Sequence, residues 1–175
     1  MITNVQLTTK EKFLLEDART HEEQCILKYG NYSKLAVDKQ LKSLFSNLQQ
    51  KEKEHLQTVN ELLSGKVPSM SGGQSGGQGS MGKSSGQQAS ASADAQQASV
   101  NQASNGSNIF QASDKDLCTD MLDTEKYVSG TYNTAIFEFK DAPVRDVLNH
   151  IQTEEQKHGE ALFAYMQSKG MYAPK

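Results

Sequence analysis

Cysteine is scarce in this chain: Cys25 and Cys118 are the only two in 175 residues. They stand in no metal-ligand spacing, so the sequence holds no disulfide framework and no zinc knuckle, and both thiols are expected to be reduced and buried. Charge of one sign is also lacking. The formal net charge is -3, with no basic block to track phosphates and no long acidic tail, so electrostatics point to neither nucleic acid nor a membrane surface as a partner. No apolar run approaches the roughly 18 residues of a membrane span, and the stretch Met1–Lys10 is polar. A soluble protein with no membrane span and no secretory signal is therefore expected. Apolar residues make up 35% of the chain, low enough that one domain-sized core must be accompanied by a segment that does not pack.

That segment is evident from composition. From about residue 65 to 113 the chain is built from Ser, Gly, Gln, Ala and Asn, with almost nothing large to bury, and reads as a flexible linker. On either side lie signals for helices. Thr8-x-x-Glu11 and Ser113-x-x-Asp116 are capping boxes, Asp38 is an N-cap candidate, and Pro143 after Asp141 suits a first turn. Gly65 and Gly170 stand where helices end on a left-handed residue. Helices are expected at about 9–36, 38–64, 114–139 and 141–169. The fold expected is all-α: one four-helix bundle over 1–175, made of hairpins 9–64 and 114–169 joined by the 65–113 linker.

The two hairpins repeat each other without a gap. Adding 103 to a residue number pairs Leu14 with Leu117, Asp17 with Asp120, Glu22 with Glu125, Tyr29 with Tyr132, Asp38 with Asp141, Gln49 with Gln152, Glu52 with Glu155 and His55 with His158. Composition alone would give about two or three such identities over that span. The chain is a duplicated helical hairpin.

A bundle buries positions spaced alternately by three and four. In the first helix this seam reads Leu15, Ala18, Glu22, Cys25, Tyr29, Tyr32, Ala36, and in the second Leu41, Phe45, Leu48, Glu52, His55, Val59, Leu62. The third gives Cys118, Met121, Glu125, Val128, Tyr132, Ala135, Phe139, and the fourth Val144, Leu148, Ile151, Glu155, His158, Leu162, Tyr165. Glu22, Glu52, His55, Glu125, Glu155 and His158 thus fall at mid-helix on otherwise apolar seams. Buried carboxylates without partners are unfavourable by several kcal/mol each, and two divalent cations would balance the four negative charges. Glu52 with His55, and Glu155 with His158, each span one helical turn and are expected to clasp one metal each. Glu22 and Glu125, alone on their helices, are expected to bridge. Tyr29 and Tyr132 lie one heptad on, with side chains leaning back toward the metal level, and are candidate hydrogen-bond donors to the ligands. His21 and His150 fall off the seams and are expected to be exposed.

One Glu from each of two helices and Glu-x-x-His from each of the other two resembles the ferritin-like di-iron and di-manganese proteins. The resemblance implies an antiparallel bundle with a long flexible crossover between helices 2 and 3, and two divalent ions, iron or manganese, as cofactor. A helix of this length is about 40 Å long, and a coil of nearly 50 residues has a mean reach of about 40 Å, so the crossover is feasible. Within that superfamily, Asp141-Ala-Pro-Val-Arg145, Glu154-Glu155-Gln-Lys-His158, Leu162-Phe163, Met166, Gly170 and Tyr172 are similar to the coat F family of spore coat proteins. That similarity implies a place in the spore coat, other coat proteins as partners and a homo-oligomer. The alternative is a redox enzyme handling peroxide or dioxygen, of catalase, peroxidase or ferroxidase type, with all six residues acting as ligands. Rubrerythrin proper is disfavoured because the chain has no Cys-x-x-Cys pair and Val128 stands where those proteins carry a further carboxylate.

Overall fold

Three of the described helices start where a side chain takes up backbone N–H groups that have no partner within the helix. The hydroxyl of Thr8 accepts from Glu11 N while the Glu11 carboxylate accepts from Thr8 N. Ser113 and Asp116 repeat this capping box, and Asp38 Oδ1 accepts from the N–H groups of Gln40 and Leu41. Asp141 makes no such bond; there the start relies on Pro143 in the first turn, and the Arg145 guanidinium donates to the carbonyls of Phe139 and Lys140 at 2.8 Å each. The computed structural model describes residues 3–69 and 112–172. The elements are β1 (Thr3–Asn4), α1 (Thr9–Leu35), α2 (Lys39–Leu63), β2 (Lys66–Val67), α3 (Asp114–Glu138) and α4 (Ala142–Ser168). No helix among the described residues is long and apolar enough to cross a membrane.

Most of the segment read as a linker, residues 70–111, lies outside the described residues. Its first residues do not behave as linker. Lys66–Val67 pairs antiparallel with Thr3–Asn4, Val67 is buried, and Val5 N donates to Gly65 O at 2.8 Å. Gly65 ends α2 with φ 79°, and a Cβ there would lie 2.9 Å from the carbonyl oxygen of Val5. Only glycine satisfies both demands. Alternation of large and small side chains cannot announce a two-residue strand, which is why the ribbon escapes a sequence reading. At the other end of the bundle α4 stops at Gly170, and Met171 N reaches back to Met166 O at 2.8 Å, a Schellman closure.

The four helices bury the expected seams. Every seam residue except Tyr32 is buried, and Leu117, Val147 and Met166 join them. Short turns at 36–38 and 139–141 join α1 to α2 and α3 to α4, and the helices of each pair pack on one another. Gln49 Nε2 donates to Ile26 O at 3.0 Å and, 103 residues on, Gln152 Nε2 donates to Ser129 O at 3.2 Å. The hairpins hold each other in the same reciprocal way. Glu11 Oε1 accepts from Lys140 N at 2.9 Å, and Asp114, the repeat mate of Glu11, accepts from Val37 N at 2.7 Å and Asp38 N at 2.9 Å. Each helix start thus grips the turn of the other hairpin.

Burial alone would raise the Glu11 carboxyl, but the N–H groups of Thr8 and Lys140 more than offset this, and its pKa lies below the ordinary 4.5. A depressed folded-state pKa contributes stability above the unfolded value that is lost as pH falls through the folded one. Glu11→Gln is therefore expected to cost about 1–3 kcal/mol at neutral pH. Thermal melts should show that gap closing as pH is lowered below 4.5. A gap independent of pH would contradict the charge-based account.

Candidate metal centre

Mid-helix seam positions carry Glu22 on α1, Glu52 and His55 on α2, Glu125 on α3 and Glu155 and His158 on α4, and none is more than 5% exposed. Their donor atoms converge in two groups, Glu22, Glu52, His55 and Glu155 in one and Glu52, Glu125, Glu155 and His158 in the other, with the atoms of each group within 4.8 Å of one another. All six sequence-derived ligand candidates are thus brought together. Glu52 and Glu155 are the residues common to both groups, whereas Glu22 and Glu125 each belong to one; the lone glutamates are not the shared ones.

The imidazoles also cross over. His55 Nδ1 lies 2.9 Å from Glu155 Oε1, 3.3 Å from Glu52 Oε2 and 3.8 Å from Glu22 Oε2. His158 Nδ1 lies 2.9 Å from Glu52 Oε1, 3.5 Å from Glu155 Oε2 and 3.7 Å from Glu125 Oε2. Each histidine is closest to the glutamate of the other hairpin, so the Glu-x-x-His pairs interlock across the bundle axis, with the two rings nearly parallel at 5.4 Å. The reason is geometric: a pair on one helix points the same way, and the nearest opposing groups come from the facing helix.

Orphaned atoms test whether the set fits a cation. Both oxygens of Glu52 and Glu155, Oε2 of Glu22 and Glu125, and Nδ1 of both histidines are buried without a hydrogen-bond partner. Natural interiors rarely leave such atoms unsatisfied, and here they all face a common centre. The remaining Oε1 atoms of Glu22 and Glu125 are satisfied, by the hydroxyls of Tyr132 and Tyr29 respectively. Carboxylate oxygens with imidazole nitrogens are a donor set for divalent iron or manganese. The inward atoms fit such ions, and the outward ones are held in place by the tyrosines.

Electrostatics follow from the same crowding. Burial, then neighbouring carboxylates, push Glu22 well up; Glu125 rises in the same way, although its contact with His158 opposes the rise. Burial pulls His55 and His158 down, but the surrounding carboxylates outweigh it and both imidazoles end well above their ordinary value. Burial, then the facing carboxylates, raise Tyr29 and Tyr132, keeping both phenols protonated as donors. Cys25 is buried, and its thiol is pushed up by burial and then by the carboxylates, which leaves it inert.

Sequence reading missed one residue at the site and misplaced another. Glu154 stands four residues before His158 on its own helix, yet its Oε2 lies 3.0 Å from His55 Nε2 on the other hairpin. That contact, ahead of burial, holds its carboxyl down at about 2. Its repeat mate Lys51 instead pairs with Glu54 on the surface, so nothing in the repeat signals the contact. His21 is half-buried rather than exposed, with Nδ1 buried and unpartnered; His150 is exposed as expected.

Tyr29→Phe and Tyr132→Phe each leave a buried carboxylate oxygen without its donor, and each is expected to destabilise the fold by about 1–3 kcal/mol. Urea unfolding of the two variants should give similar losses, since the contacts are repeat mates. A loss in one variant alone would show that the two halves are not energetically equivalent.

No curated protein and no solved structure matches the chain. Residues 113–175 match the family model of the Coat F domain, a stretch that takes in α3, α4 and the glutamate-histidine pair of the second hairpin. Over those residues the chain is similar to the Coat F domain.

Proposed function

We propose that this is a spore coat protein of the coat F type whose core is tied together by two divalent metal ions, iron or manganese, held by Glu22, Glu52, His55, Glu125, Glu155 and His158. The observation that carries the metal reading is the convergence of buried, unpartnered carboxylate and imidazole atoms in two groups that share Glu52 and Glu155. Glu22, Glu52, His55 and Glu155 would hold one ion, and Glu52, Glu125, Glu155 and His158 would hold the other. Two cations neutralise the four carboxylates, which is what makes their burial tolerable. The spore coat reading rests on the Coat F domain, and other coat proteins are the partners it implies.

The bundle that holds this site is an antiparallel ferritin-like one, in one domain. Gln49 beside Ile26 and Gln152 beside Ser129 support antiparallel hairpins, and His55 beside Glu154 with Tyr29 beside Glu125 supports antiparallel facing helices between the hairpins. With those senses α2 and α3 run the same way; the crossover expected between them falls on residues outside the described ones.

A second reading is favoured by one detail, the sharing of two carboxylates between the positions, because adjacent ions can act together. Two neighbouring iron or manganese ions supply Lewis acidity and one-electron redox chemistry toward peroxide or dioxygen. The chain's own part in such a reaction is to fix the carboxylates, through Tyr29 and Tyr132, and to orient the His55 ring, through Glu154. None of these residues is placed to act as acid or base in its own right.

Metal analysis of the purified protein beside a Glu52→Ala, His55→Ala variant tests the centre. About two equivalents of iron or manganese in the parent and a large loss in the variant are expected, and near-zero metal in both would sink the proposal. Metal should also raise the melting temperature, by the equivalent of about 2.7 kcal/mol at a hundredfold excess over Kd, with reversal by a chelator. Peroxide consumption no faster than by free metal would remove the enzymatic reading. Recovery of the protein from spore coat extracts is the expected location, and exclusive recovery from growing cells would count against it.

A further inference from the structure

The repeat gives the tyrosine–glutamate and crossed histidine–glutamate contacts at the centre their twins, but between α1 and α3, where Tyr32 and Met121 stand, one half is full and at the twin positions the other is hollow. In the full half the Tyr32 hydroxyl donates to Asp120 Oδ2 at 2.8 Å, and its ring packs beside Phe45 at 6.1 Å. Lys28 pairs with the same carboxylate at 2.7 Å and donates to Thr124, while Met121 beneath is fully buried. Subtracting or adding 103 gives the twins: Ala135 for Tyr32, Asp17 for Asp120, Thr131 for Lys28 and Ala18 for Met121. Two large side chains have become alanine, and the carboxylate has lost both its phenol and its ammonium.

A pocket of about 570 Å³ opens at that place, with Asp17, Ala18, His21, Tyr127, Tyr132 and Ala135 among its walls. Its chemistry is the counterpart of what fills the other half. Among the described residues Asp17 makes no ion pair, and His21 has a buried Nδ1 with no partner. The Tyr127 ring stands edge-on to His21 at 5.3 Å and is 62% exposed, so it presents an aromatic wall. Tyr132 belongs both to this wall and, through its hydroxyl, to Glu22.

We propose that the hollow half is a binding site for a small monocyclic phenol. The ring of the ligand occupies the space that Tyr32 occupies in the full half, between the alanines and against Tyr127. Its hydroxyl donates to Asp17 as the Tyr32 hydroxyl donates to Asp120. Asp17 is exposed and keeps water when no phenol is bound, but a ring without the hydroxyl fills the same volume and leaves the buried His21 Nδ1 unanswered, so the site discriminates by hydrogen bonding as well as by size. Nothing in this site requires a metal, and its test is independent of whether the carboxylate centre is loaded.

The probe is 4-methylphenol, the side chain of tyrosine as a free molecule, with toluene as the control. Titration of the full chain, followed by NMR shifts of His21 and Tyr127 and by the melting temperature, should show one saturable site, with toluene weaker by about tenfold or more. Ala135→Tyr and Ala18→Met restore the filled arrangement from either helix, and each should abolish the shifts. Far-UV circular dichroism confirms the fold of each variant, and either one suffices if the other does not fold. Tyr32→Ala should open the twin pocket and take up a second equivalent. Binding that survives both filling variants, toluene that binds as tightly as 4-methylphenol, or no saturable shift in the parent would overturn the proposal.

Discussion

Four carboxylates and two imidazoles share the centre of a narrow bundle, and the rest of the molecule is arranged around making that tolerable. Removing each ion from water costs several kcal/mol even after relaxation. Any structure that buries six such groups within a few ångströms needs counter-charge, hydrogen bonds, or both. The phenols of Tyr29 and Tyr132 supply hydrogen bonds from the outer side, and the inward atoms are left facing one another. Apolar side chains on either side, such as Phe45 beside Tyr29 and the fully buried Met121 and Leu148, keep water out of the seam. The capping boxes and turn clamps hold the helix ends so that the middle cannot splay.

The internal repeat explains how such a centre is built economically. One hairpin supplies a lone glutamate, a Glu-x-x-His pair, a tyrosine and a glutamine, and the other supplies the same set 103 residues later. Neither half is complete. Each tyrosine reaches the glutamate of the other hairpin, and each histidine lies closest to the other hairpin's glutamate. The Coat F match covers only the second hairpin, yet the first carries the same framework of contacts. Departures from the repeat are then informative. Glu154 attends His55 where Lys51 cannot attend His158, and Ala135 with Ala18 open a space where Tyr32 with Met121 close one.

These departures bear on the choice between a centre that only holds the fold together and one that also reacts. A purely structural centre has no use for a hollow beside it, and a symmetric core would be the more stable one, since filling a cavity recovers dispersion contacts and buried area. The pocket shares Tyr132 with the centre. Its chemistry and that of the carboxylate cluster are therefore neighbours, whichever role the bundle has.

The seams, the helix starts and the six ligand candidates were legible in the sequence because each depends on periodicity along a single helix or on a cap a few residues long. Glu52 with His55, three apart, must share a face wherever the helix goes, and Thr8 with Glu11 must meet if the helix starts there. Tertiary structure decided what lies across from each face: that Glu52 and Glu155 are shared, that the histidines cross over, that Glu154 meets His55, that His21 is half-buried and that Lys66–Val67 pairs with Thr3–Asn4. Those facts depend on the spacing and rotation of neighbouring helices, which fix contacts between residues far apart in the chain. A period of 3.6 residues says which side of a helix is buried and nothing about which atom it will meet there.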